Sequence, residues 1–496
     1  MGGNPSWAGL PSAVVELARP MNDWLQLLAF YFPLGIIGAW RWGTWLFRKL
    51  ISLLYRPSRQ DYEATVSVVT PVYNEDPGMF RRALESWKDN HPLEIIAVID
   101  YTDKACIAEF EQFRQGFDRA RLIVTEKPGK RPALADGIRA ASGEIVALVD
   151  SDVVWGPSVR EEALRPFANP KVGGVTLRQS VLEPRTLAQR IFDIQLDIRF
   201  YDDMMPVSAV STALSCLSGR TAFYRRGVIL PLVDDMVNET FWGRQCIGGE
   251  DKRLTYLLQA AGWQTRYQHE AQVFTPGARN FITLAKQRVR WSRNSWRADL
   301  RALWQGWVWR YPLFAFFLLD RVVSPFTLTL SLIYFVVSLV FQFWVPAAIL
   351  VGWWLFSRTV KILPHLLRQP RDIVLAPLYV VVNFATAVIR IYSLFTLNRQ
   401  DWITRWGAER APEPGTLHLG LAKHATLVIL AFLGMAVAFY NGYVAGVPAS
   451  PPGQAFIALL AALATALTLI ISLAVEGWTR GNNPSFGAEY GPAAGR

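Results

Sequence analysis

The chain has 496 residues, 51% of them hydrophobic, 13% aromatic and only 18% charged, with 20 Trp and a mean hydropathy of +0.18. Soluble domains carry about a quarter of their residues as charges, so this composition excludes a disordered chain and argues against a wholly soluble enzyme. The net charge of +11 fits the cytoplasmic face of a membrane better than nucleic acid, and Cys106, Cys216 and Cys246 follow no metal or disulfide spacing.

In chain order, residues 24–40 (WLQLLAFYFPLGIIGAW) are uncharged and stop at Arg41, with Arg48 and Lys49 close behind. No basic stretch precedes them, which argues for a short span within an N-terminal membrane segment (1–56) rather than a signal peptide. From 57 to 286 the pattern changes. Apolar, β-branched runs TVSVVT (65–70), EIIAVID (94–100), RLIVTE (121–126) and EIVALVD (144–150) alternate with helix-like stretches such as FRRALESW and RPALADGIRAA. That alternation predicts an α/β domain with a Rossmann-like, mostly parallel sheet, whose ligands bind beyond the carboxyl ends of the strands. Residues 287–321 are rich in Arg and Trp and predict amphipathic interfacial helices.

Residues 322–357 hold no charge and break near Gln342–Pro346, which predicts a transmembrane hairpin over 322–358. The stretch 373–397 is apolar, but Pro377 interrupts it and Arg390 lies inside it. An arginine at a helix centre costs about 2.5–3.5 kcal/mol, so an interfacial course is expected within a cytoplasmic segment 359–423. Residues 425–475 are uncharged and split at Val447–Gln454, giving a second hairpin (424–478) before a tail at 479–496. Five spans and one interfacial helix keep Arg41, Lys361, Arg368, Arg399 and Arg405 on the inner side, as the positive-inside rule requires.

Polar motifs fall where the strands end. Pro71–Glu75 follows the first strand, Asp100 ends the second, and Asp150-Ser151-Asp152 follows the fourth. Two carboxylates spaced i, i+2 past a strand can offer one oxygen donor to a divalent cation and the other to a ribose. Gly248-Gly249-Glu250-Asp251 opens a helix, so Asp251 is either its N-terminal cap or, like Glu250, a candidate general base. Gln287-Arg288-Val289-Arg290-Trp291 combines phosphate-binding guanidiniums with a flat aromatic face for a sugar, or else is an ordinary membrane-surface helix.

Seven motifs in order, PVYNE (71–75), GKR (129–131), DSD (150–152), CLSG (216–219), GED (249–251), QxxRW (287–291) and WITR (402–405), resemble the membrane-embedded family 2 glycosyltransferases. Within that group the chain resembles most the hyaluronan synthases and the nodulation-type chitin-oligosaccharide synthases. The resemblance implies an α/β glycosyltransferase A-type domain inserted between transmembrane helices. It implies a UDP pocket of Pro71, Tyr73, Glu75, Asp100, Lys130, Arg131 and Asp150, with Asp152 holding Mg2+ or Mn2+. Cys216, Ser218 and Gly219, with Trp291, would border the acceptor. Asp251 would be the base with Glu250 beside it, and Gln287, Arg290 and Trp291 would meet the acceptor end and the diphosphate. Trp402, Thr404 and Arg405 would form a gating or priming segment near UDP. Arg220 departs from the proline usual after the CLSG pattern, Glu250 from an aspartate, and Ile403 from a glycine.

The expected activity is inverting, processive transfer from UDP-sugars to a growing polysaccharide, which crosses the cell (inner) membrane from a cytoplasmic catalytic domain. The polymer is expected to be hyaluronan- or chitin-like and to contain GlcNAc. The expected partners are the UDP-sugar donor, the polymer and the lipid bilayer, with no nucleic acid, in a monomer or small homo-oligomer. A transferase acting on a lipid acceptor is the alternative, and a transporter without chemistry a distant one.

Overall fold

The computed structural model describes residues 35–340, 344–399, 402–403 and 408–409. Most of the 24–40 run, the 425–475 hairpin, Thr404 and Arg405 lie outside the described residues. By its contacts the chain divides into two units. One comprises 41–239 with 246–412, and the other 1–40, 240–245 and 413–496.

The larger unit is built on an eight-stranded sheet. Its strands are β1 (Val66–Val72), β2 (Glu94–Asp100), β3 (Ala120–Thr125), β4 (Ile145–Val149), β5 (Val154–Trp155), β6 (Val172–Val181), β7 (Thr221–Arg225) and β10 (Gln264–Thr275). The short pair β8 (Thr240–Phe241) and β9 (Arg244–Gln245) forms a separate hairpin. The sheet order is β3-β2-β1-β4-β7-β6-β10-β5. The pairings β3–β2, β2–β1, β1–β4 and β6–β10 are parallel, while β7 runs antiparallel to both β4 and β6.

Alternation along the strands explains why both faces are covered. Val66, Val68, Ile95, Ala97 and Ile99 face Phe80, Leu84 and Trp87 of helix α2 (Pro77–Lys88) and Phe110 and Phe113 of α3 (Lys104–Arg114), all of them buried. Val69 and Val98 face the other way, against α4 (Lys130–Ala140). There Gly137 allows close approach, since a Cβ would lie 2.3 Å from Val69 Cγ1. Helices α1 (Gly35–Ser52), α5 (Leu187–Ile198) and α6 (Glu250–Ala260) are the other helices of more than ten residues that precede the long ones among the described residues.

Four long helices follow or flank the sheet: α7 (Phe281–Gln305), α8 (Pro312–Val340), α9 (Trp344–Lys361) and α10 (Ala376–Leu394). From Arg41 onward α1 is tied to α8, with Asp320 accepting from Arg41 at 2.9 Å and from Arg48 at 3.1 Å. By length and composition two stretches could cross a membrane: Pro312–Leu332, of mean hydropathy 1.6, and Pro370–Leu394, of 2.0.

The second stretch differs from expectation in two details. Pro377 does not interrupt α10 but sits in its first turn, where a missing N–H costs nothing. Arg390 is not left to lipid: its Nη2 donates to the Arg321 carbonyl at 3.0 Å and its guanidinium lies 5.6 Å from the Trp296 ring centroid. Both ends of α10 also meet the sheet-bearing part of the unit. Just before it, Asp372 binds Arg190 of α5; just after it, the Leu397 carbonyl accepts from Arg297 of α7 at 3.1 Å.

Candidate active site

Strand pairing brings the acidic motifs together. Because β7 runs antiparallel beside β4, the end of β4 meets the start of β7, and Asp150 N donates to the Arg220 carbonyl at 3.1 Å. The CLSG loop and the DSD loop thus become neighbours although some 65 residues separate them. A pocket at this junction is lined by Lys130, Leu134, Asp150, Gly219, Tyr224, Glu250, Asp251 and nearby apolar residues. It gathers residues from four of the seven motifs.

Lys130 is its electrostatic centre. At the first residue of α4, its Nζ lies 2.6 Å from Asp150 Oδ1 and 2.6 Å from Glu250 Oε1. Burial pulls the ammonium down, but Asp150 and then Glu250 outweigh it and hold the lysine above its ordinary range. Burial likewise pushes the Glu250 carboxyl up, yet Lys130 overrides this and sets it at about 2. Asp150 moves the other way: burial, with Asp152 and Glu250 nearby, raises it despite Lys130. Gly219 permits this crowding, since a Cβ there would lie 3.4 Å from Lys130 Nζ and 3.5 Å from Glu250 Oε1.

Asp251 is not the cap of α6. That place belongs to Gly249, whose φ of +82° favours glycine and where a Cβ would meet Asn294 at 2.9 Å. Asp251 instead sits in the first turn, accepting from Gly219 N at 3.2 Å and from Lys252 N at 2.7 Å. A carboxylate there is favoured by the helix dipole. Cys216 is buried close by, and burial, reinforced by Asp251, pushes its thiol up, so it is no nucleophile.

The other expected residues are placed as follows. Glu75 Oε2 accepts from Ser151 Oγ at 3.2 Å, so the PVYNE and DSD loops touch. Tyr73 is exposed, Pro71 ends β1 beside Val98, and Asp100 Oδ1 closes a turn onto Thr102 N at 2.9 Å. Ser218 is buried, its N–H donating to Thr176 Oγ1 at 3.3 Å. Arg131 is not brought into the pocket. It is buried in a separate network with Glu239 at 2.6 Å and the carbonyls of Met236 and Gly248. The backbone of Trp402 forms β11 (Trp402–Ile403), paired with β12 (Ala408–Glu409), and β11 lies against α7.

On α7, Trp291 is not an open platform. Its ring centroid is 5.9 Å from that of Phe192, and the Arg220 and Arg288 guanidiniums lie 5.2 and 5.3 Å from it. Burial first brings Arg220 and Arg288 each down to about 10, reinforced by repulsion from Arg199 on Arg220 and from Arg220 and then Arg199 on Arg288. Gln287 Oε1 is buried without a hydrogen-bond partner, an orphan that a ligand hydroxyl would satisfy. Arg290 lies half-buried on the same helix. Phe192, Gln195 and Arg199 carry no motif, and the sequence held no signal for them. Arg220 did have one, a basic residue where the resemblance implies proline.

Residues 64–294 match the family model described as "Glycosyltransferase like family 2". They are a family 2 glycosyltransferase domain. The chain is 26% identical over 375 residues to an N-acetylglucosaminyltransferase of Rhizobium meliloti (strain 1021), spanning 71% of this chain and 83% of that protein. It is 27% identical over 381 residues to a hyaluronan synthase of Streptococcus pyogenes, spanning 73% and 88%. A solved mannosyltransferase of Pyrobaculum calidifontis, in complex with GDP-Man and Mn2+, superposes with a TM-score of 0.47 at 17% identity over 74% of this chain and 97% of that one. The sheet of this domain is mostly parallel and flanked by helices, the α/β architecture expected from the sequence.

Two groups of side chains offer the donor atoms a cation needs. Asp150 and Asp152 follow the end of β4, with Asp150 lining the pocket, and their hard oxygen donors fit Mg2+ or Mn2+. Asp193, Asp197 and His365 also lie within 4.8 Å of one another. Their ligand atoms are already bonded, however, with His365 Nδ1 2.6 Å from Asp197 Oδ2 and Arg368 on the same oxygen, so this group fits a metal poorly.

Proposed function

We propose that this chain is an inverting, cation-dependent transferase that extends a polysaccharide from UDP-sugars and moves the polymer through its own membrane helices. One observation carries the reading: the pocket brings Lys130, Asp150, Gly219, Glu250 and Asp251 together, and α7 with its QxxRW segment packs alongside. The named relatives act as a GlcNAc transferase and a hyaluronan synthase, which supports a GlcNAc-containing polymer.

The roles would divide as follows. Glu250 is ionised but its oxygen is held by Lys130, so Asp251 is the better base for the acceptor hydroxyl. Asp152, with Asp150, would hold the cation, which when bound offsets the charge developing on departing UDP. Lys130 and Arg290 would add positive charge on that side, where preorganised groups act most strongly. Gln287 and Trp291 would meet the acceptor. Two contacts support an interfacial α10: its flanking residues are bonded to α5 and α7, which belong with the sheet. The catalytic domain and the 359–423 segment would then share the cytoplasmic side, as the basic loops require.

Purified protein in lipid nanodiscs, given UDP-sugars singly and in pairs with Mg2+ or Mn2+, should release UDP and build a polymer. UDP release with only one sugar added to a lipid would favour the lipid-acceptor alternative, and no release from any donor would contradict the proposal.

A further inference from the structure

Helix α5 is engaged on two faces at once. On one, Phe192 stacks near Trp291, takes the Arg220 and Arg288 guanidiniums at 5.2 and 5.6 Å, and neighbours Gln195, whose Oε1 accepts from Arg288. About 100° round the helix lie Asp193 and Asp197, one turn apart. Asp193 Oδ1 accepts from Val181 N at 2.7 Å. Asp197 Oδ2 lies 2.6 Å from His365 Nδ1, and Arg368 donates to the same oxygen.

His365 belongs to a helical turn, Leu363–Leu366, in the connection between α9 and α10. It is only 1% exposed. Its second nitrogen, Nε2, lies 2.8 Å from Asp372 Oδ2, and Asp372 Oδ1 takes Arg190 of α5. Ionised carboxylates only accept, so donation to both of them needs a proton on each ring nitrogen. The cluster then balances: Asp193, Asp197 and Asp372 against Arg190, Arg368 and the imidazolium. Arg178 of β6 is the further cation near Arg368. A neutral imidazole would set an unprotonated ring nitrogen against the oxygen of one carboxylate, lone pair to lone pair, at 2.6 or 2.8 Å.

We propose that His365, as an imidazolium, is a positioning residue for the acceptor side of the site. It locks α5 to the 363–372 connection and so holds Phe192 and Gln195 against Trp291 and Arg288. The inference rests on the reading of the QxxRW segment as the acceptor contact. It concerns placement alone, since His365 touches neither substrate nor reacting atoms.

The test uses full-length protein in nanodiscs, with UDP release measured while donor and an oligosaccharide primer are varied separately. His365→Gln should raise the primer KM roughly ten- to a hundredfold and leave the donor KM within about twofold, as misplacing a binding group does. The double change His365→Gln with Asp372→Asn removes the negative charge that the imidazolium had offset and returns the cluster to its wild-type net charge. It should recover most of the primer affinity, and it remains informative if the single variant fails to fold. Phe192→Leu, which strikes the other engaged face of α5, should reproduce the primer-specific defect. Hydrogen exchange over 287–293 should quicken in His365→Gln whatever its activity. A folded His365→Gln with unchanged primer KM, equal losses for donor and primer, or a double variant no better than the single one would overturn the inference. Failure of the functional reading itself would appear in the wild type, as no UDP release from any donor.

Discussion

Beside one another in this protein lie a cluster of carboxylates held by a single lysine and a cluster of guanidiniums held mainly by aromatic rings. Asp150 and Glu250 share Lys130, each at 2.6 Å, with Asp251 adjoining. Arg220 and Arg288 instead lie over Phe192 and Trp291 and donate to Gln179 and Gln195, with Arg199 close enough to repel both. The first arrangement leaves net negative charge where the proposed mechanism would place a cation and an ionised base. The second leaves net positive charge beside it, where phosphate or acceptor groups would be bound. Each cluster is poor in its own counterions, and each makes the other cheaper to keep, since Asp150, Asp152 and Asp251 raise Arg220 against its burial.

Breaking the acidic cluster should cost most. Asp152→Asn is expected to insert normally yet show less than about one part in 10³ of wild-type transfer, since a preorganised charge at a leaving group carries several kcal/mol. Radiolabelled sugar incorporation checks this; full activity of the variant in chelator would remove Asp152 from the cation. Lys130→Met should destabilise the fold by about 3 kcal/mol, because it strands the buried Glu250 carboxylate and leaves the partly exposed Asp150 without its lysine. The loss should appear as a lower Tm, partly regained on adding Glu250→Gln. A Lys130→Met protein with wild-type Tm would show that the lysine holds neither acid.

A smaller effect comes from pH. The Glu250 carboxyl sits at about 2 in the folded protein and near 4.3 in an unfolded chain. The folded state therefore binds this proton more weakly, and the stability it contributes is present above about pH 4 and lost between about pH 4 and 2. Denaturant midpoints should fall over that window in the wild type and less steeply in Glu250→Gln. The smallest effect belongs to the basic cluster. Arg220→Gln removes one guanidinium from two rings, worth about 1 kcal/mol, and should weaken primer binding a few-fold while sparing donor binding.

The sequence revealed these two clusters unequally. Strand alternation and strand-end acids made the sheet, the DSD loop and the GED helix legible, because a carboxylate past a β-branched run reports its own position. Adjacent letters were read less well. Lys130 and Arg131 form one motif, yet successive helical residues diverge by about 100°, and only Lys130 enters the pocket. Asp251 read equally well as a cap until Gly249, at positive φ, took that place. Phe192, Gln195 and His365 were invisible because their meaning lies in contacts across about 100 to 170 residues. The basic cluster depends on exactly that kind of long-range contact, and the acidic one mostly does not.

The central claim is that Asp251 is the base and Glu250 its electrostatic neighbour, and pre-steady-state UDP release with matched UDP-binding measurements tests it most directly. Asp251→Asn should bind UDP as the wild type does and lose about 10²–10⁴-fold in turnover, the range for a general base, while Glu250→Gln keeps measurable synthesis. An Asp251→Asn protein that retains more than about a tenth of wild-type turnover, or a Glu250→Gln protein that is the more impaired of the two, would contradict the account.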